Sequence, residues 1–195
     1  MKLASSQASP FKIASSEPNV NGHLMKRIRL LLKSVTAGQR IAVVCIGTDR
    51  STGDALGPLV GTALTRHPNK PFDVYGTLES PVHAMNLEET MAAIKATPDP
   101  PFIIGIDACL GQVASVGSIQ VGEGPVRPGA GVNKQLPPVG DMHITGIVNV
   151  GGFMEYFVLQ NTRLHLVMQL SEIISFSLFH AILSESTSSL SALDG

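Results

Sequence analysis

Residues 41–61, Ile41-Ala-Val-Val-Cys-Ile-Gly-Thr-Asp-Arg-Ser-Thr-Gly-Asp-Ala-Leu-Gly-Pro-Leu-Val-Gly61, constrain the fold more than any other stretch of this chain. Residues 41–47 are apolar and mostly β-branched without polar alternation, the pattern of a strand covered on both faces. A polar loop, residues 48–53, leads into Asp54-Ala-Leu-Gly-Pro58, where Asp can cap a helix and Pro fits its first turn. A central parallel strand followed by such a loop and helix places the loop at the carboxyl edge of a sheet, where open α/β folds bind their ligands.

The remainder of the chain is read around that unit. Its 195 residues suit one domain, expected over residues 21–184, with residues 1–20 and 185–195 as disordered tails because they are rich in Ser, Pro and Asn or in Ser. A formal net charge of −1, with 15% charged residues, gives no basic field for nucleic acid or an anionic membrane, so neither is an expected partner. Cys45 and Cys109 make neither a disulfide framework nor a zinc site, which fits a reducing cytoplasm. No apolar run near the N-terminus resembles a signal sequence. Residues 164–183 are apolar but interrupted by His165, Gln169, Glu172 and His180, so a core-packed helix is expected there in place of a membrane span.

In order, the periodicity predicts an amphipathic helix over 23–35, the central strand, a helix over 56–66 and a strand over 72–78. A helix over 86–96 and a strand over 102–107 ending on Asp107 come next. The strand expected over 116–121 follows a connection too short for a crossover helix, so it should run antiparallel. A Gly/Pro-rich crossover over 122–141, a strand over 143–150, a short helix over 153–159 and a long one from 163 complete the chain. Loops as long as that crossover are usually functional or mobile.

Asp54 and Asp107 are the candidate catalytic residues, since both fall at carboxyl ends of neighbouring strands. Two acids brought into one cleft can divide general acid and general base work around a water. From spacing alone a helix cap at Asp54 and a turn residue at Asp107 account for them equally well. Asp49 and Arg50 either pair to shape the first loop or serve the substrate, with Arg50 holding a carbonyl or carboxylate. Cys109 as a nucleophile needs a lowered thiol pKa and a base such as His143, and an inert thiol is the simpler reading. The glycines at 122, 124, 129 and 131 lack the Gly-Lys-Ser/Thr of a phosphate loop and read as turn glycines.

The run Ile46-Gly-Thr-Asp-Arg-Ser-Thr-Gly-Asp54-Ala-Leu-Gly-Pro58, together with Gly151-Gly-Phe-Met-Glu-Tyr-Phe-Val-Leu-Gln-Asn-Thr-Arg163, resembles the signature of the spore protease or sporulation protein family of the YyaC type. The resemblance spans most of residues 41–183. More distantly, Asp54-Ala-Leu-Gly-Pro58, Ile106-Asp107-Ala108 and Pro128-Gly-Ala-Gly-Val-Asn-Lys134 resemble pieces of the spore germination protease, whose two matching aspartates are regarded as a catalytic pair. This chain is far shorter and has Thr-Gly in place of Thr-Pro before the Asp. The hydrogenase maturation proteases, with the HybD-like fold, carry carboxylates at the positions of Asp54 and Asp107. That resemblance implies an α/β fold, a three-layer α/β/α sandwich of phosphorylase/hydrolase-like type, with a five-stranded mixed sheet in order 2-1-3-5-4 and strand 4 antiparallel.

What the resemblance implies for function is a sporulation-associated peptidase of aspartic type, germination protease-like, acting in the forespore or spore interior on a protein substrate, with a spore protein as candidate. An inactive binding or scaffold protein on the same fold is the alternative. Cofactors are not called for by any motif. A divalent metal enters only through the maturation proteases, whose third ligand is a His; Asp54, Asp107 and His143 would then be the ligands, with His83 the other well-placed histidine. For each histidine a bond to nearby backbone is the simpler role, and His143 otherwise joins Asp49 and Arg50 as a candidate substrate-binding residue.

Overall fold

The computed structural model describes residues 10–129 and 136–191, and the elements run in the order β1 (Phe11–Ala14), α1 (Val20–Leu32), β2 (Ile41–Cys45), α2 (Leu56–Thr65), β3 (Asp73–Tyr75), α3 (Leu87–Lys95), β4 (Phe102–Gly111), β5 (Ser118–Glu123), β6 (Met142–Val150), α4 (Glu155–Gln160) and α5 (Leu164–Ser191). They form an α/β fold around one mixed sheet of order β1-β5-β6-β4-β2-β3. Strands β3, β2, β4 and β6 are parallel neighbours, and β5 runs antiparallel to β6. Counted from β2, this is the expected order 2-1-3-5-4 with its antiparallel fourth strand. The sheet has six strands where five were expected, because β1 pairs antiparallel with β5 from Phe11↔Val121 to Ala14↔Ser118.

The expectation of a disordered tail over 1–20 is therefore corrected from Phe11 onward. Phe11 and Ile13 alternate with Lys12 and Ala14, and the half-buried pair packs on the main core. Four residues among Ser and Pro are too few to announce a strand, and the edge of β5 provides the backbone partners that fix it. The tail expected from 185 is likewise corrected, since α5 continues to Ser191 and Arg29 Nε donates to Glu185 Oε1 at 2.7 Å, tying α5 to α1. The parts of both tails over 1–9 and 192–195 lie outside the described residues.

The alternation of side chains along each strand divides the interior in two. Val43 and Cys45 of β2, Ile104 and Ile106 of β4 and Ile144 and Val148 of β6 face one way, toward Leu24 and Ile28 of α1, Val60 and Leu64 of α2 and Leu170, Ile174 and Leu178 of α5. By length and composition α5 could cross a membrane, yet these residues are at most 1% exposed and it is the central helix of this layer. The opposite face carries a smaller cluster of Ala42, Val44 and Ile103 under Leu87, Met91 and Ile94 of α3, closed by Val126 and Val139 of the crossover. Beyond this cluster the later part of β4 is half-buried on that face.

Candidate active site

The close approach of α2 to the end of β2 defines one wall. Gly47 has φ 144°, a conformation that side chains disfavour, and a Cβ there would stand 2.0 Å from the Asp54 carbonyl oxygen. Thr48 N–H donates to that same oxygen at 3.2 Å, so the loop folds back on the residue it must present. Asp54 sits in a single 3-10 turn, Gly53–Ala55, just before α2. The N-cap of α2 is Ala55, and no side-chain capping bond is made, so the helix-cap reading of Asp54 does not hold. Its carboxyl instead faces a cavity of about 250 Å³.

Asp107 reaches the same cavity from β4. It does not end its strand as expected, because β4 continues to Gly111 beside β6, with a register shift between Cys109 and Leu110 that breaks the regular pleat next to the site. Asp107 Oδ1 accepts a hydrogen bond from Ala108 N–H at 2.9 Å. Burial pushes the Asp107 carboxyl well above the usual carboxylate range, the negative charge of Asp54 pushes in the same direction, and the Ala108 bond opposes both. Burial raises Asp54 as well, while the neighbouring Ser51 hydroxyl works in the opposite direction. Ser51 is 5% exposed, and its hydroxyl is turned to the Asp54 carboxyl. Of the two acids, Asp107 is the one that holds its proton more tightly.

The other expected site residues divide. Arg50 lines the cavity, its backbone N–H donating to Thr48 Oγ1 at 3.3 Å. Asp49 is exposed and lies off the cavity, and no ion pair joins it to Arg50 among the described residues. His143 is not brought in: its Nδ1 donates to Gly124 O at 2.9 Å and its ring lies under Gly122, where a Cβ would be 2.6 Å from Cε1. The substrate-binding and metal-ligand expectations for His143 are corrected on that ground. His83 does line the cavity, with its Nδ1 accepting from Met85 N–H at 3.3 Å. Among the described residues no three His, Cys, Asp or Glu side chains converge closely enough to hold a metal ion, so the maturation-type ligand set does not fit this site.

Cys109 shares the cavity wall, but burial pushes its thiol up to about 11, opposed by a bond with Thr145 and aided by the Asp107 charge, and His143, the base expected for it, is turned away. The crossover contributes Pro128, Gly129 and Leu136. The matching segment from Ala130 to Lys134 lies outside the described residues. The lining residues that went unassigned in the sequence include Ser51, three positions before Asp54 in the first loop, and Tyr156 and Leu159 of α4. All three fall within the two signature runs, which was the available signal.

Residues 12–177 match a family model described as a protein of unknown function, DUF1256. A protein of Bacillus subtilis strain 168, described as uncharacterized protein YyaC, is 58% identical over 153 residues, covering 77% of this chain and 75% of that one. Among solved structures, the NiFe hydrogenase maturation protease HycI from Thermococcus kodakarensis KOD1 aligns with a TM-score of 0.45 at 19% identity, over 76% of this chain and 98% of that one.

Proposed function

The chain belongs to the DUF1256 family, and from that premise we propose that it is a peptidase that hydrolyses a protein substrate with Asp54 and Asp107 as paired acids. The observation that carries this reading is that two carboxyls, one from the turn after β2 and one from within β4, share one cavity, with Asp54 free of the capping bond that its position offered. Peptide hydrolysis needs a water deprotonated at the carbonyl and a leaving amine protonated. Asp54, the more readily ionised of the two, takes the proton of the water as its oxygen bonds to the carbonyl carbon. Asp107 gives its proton to the amide nitrogen as the C–N bond breaks. One proton is then shared between the two groups, and the apparent pKa values belong to the pair. Ser51 Oγ–H, directed at the Asp54 carboxyl, favours the ionised form that this step needs.

The signature runs over 46–58 and 151–163 support a sporulation setting, in the forespore or spore interior, with small acid-soluble spore proteins or another spore protein as substrate. One observation favours the inactive binding protein on the same fold, namely the bond that already engages Asp107 Oδ1. The experiment that decides is incubation of the purified protein with a spore extract, beside Asp54→Asn and Asp107→Asn variants whose folding is checked by circular dichroism. Cleavage by the wild type should fall by about 10² to 10⁴ in each variant, the contribution of a general acid or base. Identical peptide patterns from all three would remove the peptidase reading and leave the binding protein.

A further inference from the structure

Beside the cavity stands a run of exposed apolar residues that neither acid uses. Tyr156 lines the cavity and is 59% exposed, and beside it in sequence stand Phe153 at 81%, Met154 at 58% and Phe157 at 55%. Met85, also in the cavity wall, is 83% exposed. Exposed apolar clusters of this kind are uncommon away from interaction sites, and aromatic and Met side chains are the types enriched in interface cores.

Three features tie this surface to the acids. Leu159 of α4 is 3% exposed and packs so closely on the Asp54 turn that a Cβ on Gly53 would lie 2.7 Å from its Cδ2. The helix is also pinned, since Asn149 Nδ2 donates to Val158 O at 3.3 Å and to Thr162 Oγ1 at 3.2 Å, and Gly152 N–H donates to Glu155 Oε1 at 3.3 Å. Met154 enters it at φ 49°, a conformation rare for a residue with a side chain. Strain of that kind persists only where the surroundings impose it and clusters at functional sites.

The occupant follows from size and charge. A cavity of about 250 Å³ is below the roughly 300–1,000 Å³ typical of sites that enclose a small molecule or cofactor, so much of what binds must lie outside it. Glu155 is the single Asp, Glu, Lys or Arg between Asp141 and Arg163, so the segment presents apolar rather than charged side chains. The geometry points to an extended segment of polypeptide with large apolar side chains next to the bond at the acids, seated on Phe153, Tyr156, Phe157 and Met85. This substrate class rests on the peptidase reading.

Two pools of fluorescein-labelled decapeptides test it, their four central positions drawn either from Leu, Met, Phe and Val or from Ser, Asn, Gln and Lys. Fluorescence anisotropy is read with full-length Asp54→Asn protein, so that binding is measured without turnover, and cleavage is read separately with the wild type. The apolar pool should bind about tenfold tighter or more, and the combined Phe153→Ser, Tyr156→Ser and Phe157→Ser substitutions in that protein should abolish the difference. These side chains are exposed, so the melting temperature should be kept. Phe153→Ser alone, at the most exposed position, should reduce the difference in a protein with no packing to lose. Equal affinity for both pools, or an apolar preference that survives the triple substitution, overturns the proposal even if the wild type cleaves. A dimer in sedimentation that the triple substitution dissolves also overturns it, because a second copy then covers the face. Apolar preference carried by these residues in a protein that cleaves neither pool upholds the surface and removes the peptidase reading.

Discussion

Asp107 is the residue whose protonation decides what the cleft can do, and its burial has a measurable consequence for stability. Its folded-state pKa is raised well above the ordinary carboxylate range, by burial first and by Asp54 second. An acid with a raised pKa binds its proton more tightly in the folded state, so its contribution to stability is fully present below the unfolded value and is lost as pH rises through the folded one. Asp107→Asn removes that loss, and its Oδ1 can still accept from Ala108 N–H. In thermal melts the variant should be more stable than wild type at pH 8, with the gap closing toward pH 4. A gap independent of pH would mean that Asp107 is not held protonated. Both acids were legible as carboxylates that follow apolar runs, though β4 continues past Asp107. Their partners were not, because whether a carboxyl caps a helix or faces a cavity depends on backbone geometry a few residues away. His143 shows the same limit: its place in the chain is next to the site, yet its ring bonds to Gly124 across the sheet.

At the scale of elements, α2 and its glycines set the position of Asp54. A Cβ on Gly57 would stand 2.1 Å from the Ile46 carbonyl oxygen. Ala is the better helix former by about 1 kcal/mol, but here α2 would have to move off β2. Gly57→Ala should therefore destabilise by about 1–3 kcal/mol in urea denaturation, the usual range for overpacking. It should also reduce cleavage, by up to about 10²-fold if the Asp54 turn moves by about 1 Å with the helix. A more stable, equally active variant would mean that the approach of helix to strand is not as close as described. The core helix α5 was legible from its polar interruptions and is confirmed by its burial. Leu178→Ala, at 0% exposure, should cost about 2–5 kcal/mol by the same denaturation. An unchanged midpoint would contradict its place in the core.

For the molecule as a whole, the sheet is completed by a strand from the N-terminal segment. Removing residues 1–16 would strip β1 from β5, expose the edge from Ser118 to Val121, and break the bond from Lys12 Nζ to Ser115 Oγ. With two half-buried apolar side chains lost, roughly 2–4 kcal/mol of stability should go, and the unpaired edge should promote association. Melting and sedimentation check this, and peptide cleavage should persist because β1 lies at the edge of the sheet away from β2 and the acids. An unaltered melting temperature would show that β1 adds nothing to the fold. The sequence by itself determined the parallel core of the sheet and its antiparallel strand, because continuous apolar runs and a connection too short for a helix leave few ways to pair. It also marked Asp54 and Asp107 as the acids that follow apolar runs, although β4 carries on past Asp107 to Gly111. Only the tertiary structure decided that Phe11–Ala14 forms a sixth strand, that Asp54 is free of α2, and that Tyr156 and Met85 meet across one cavity. Those are contacts between segments distant in the chain, and no local propensity encodes the partner that makes them favourable.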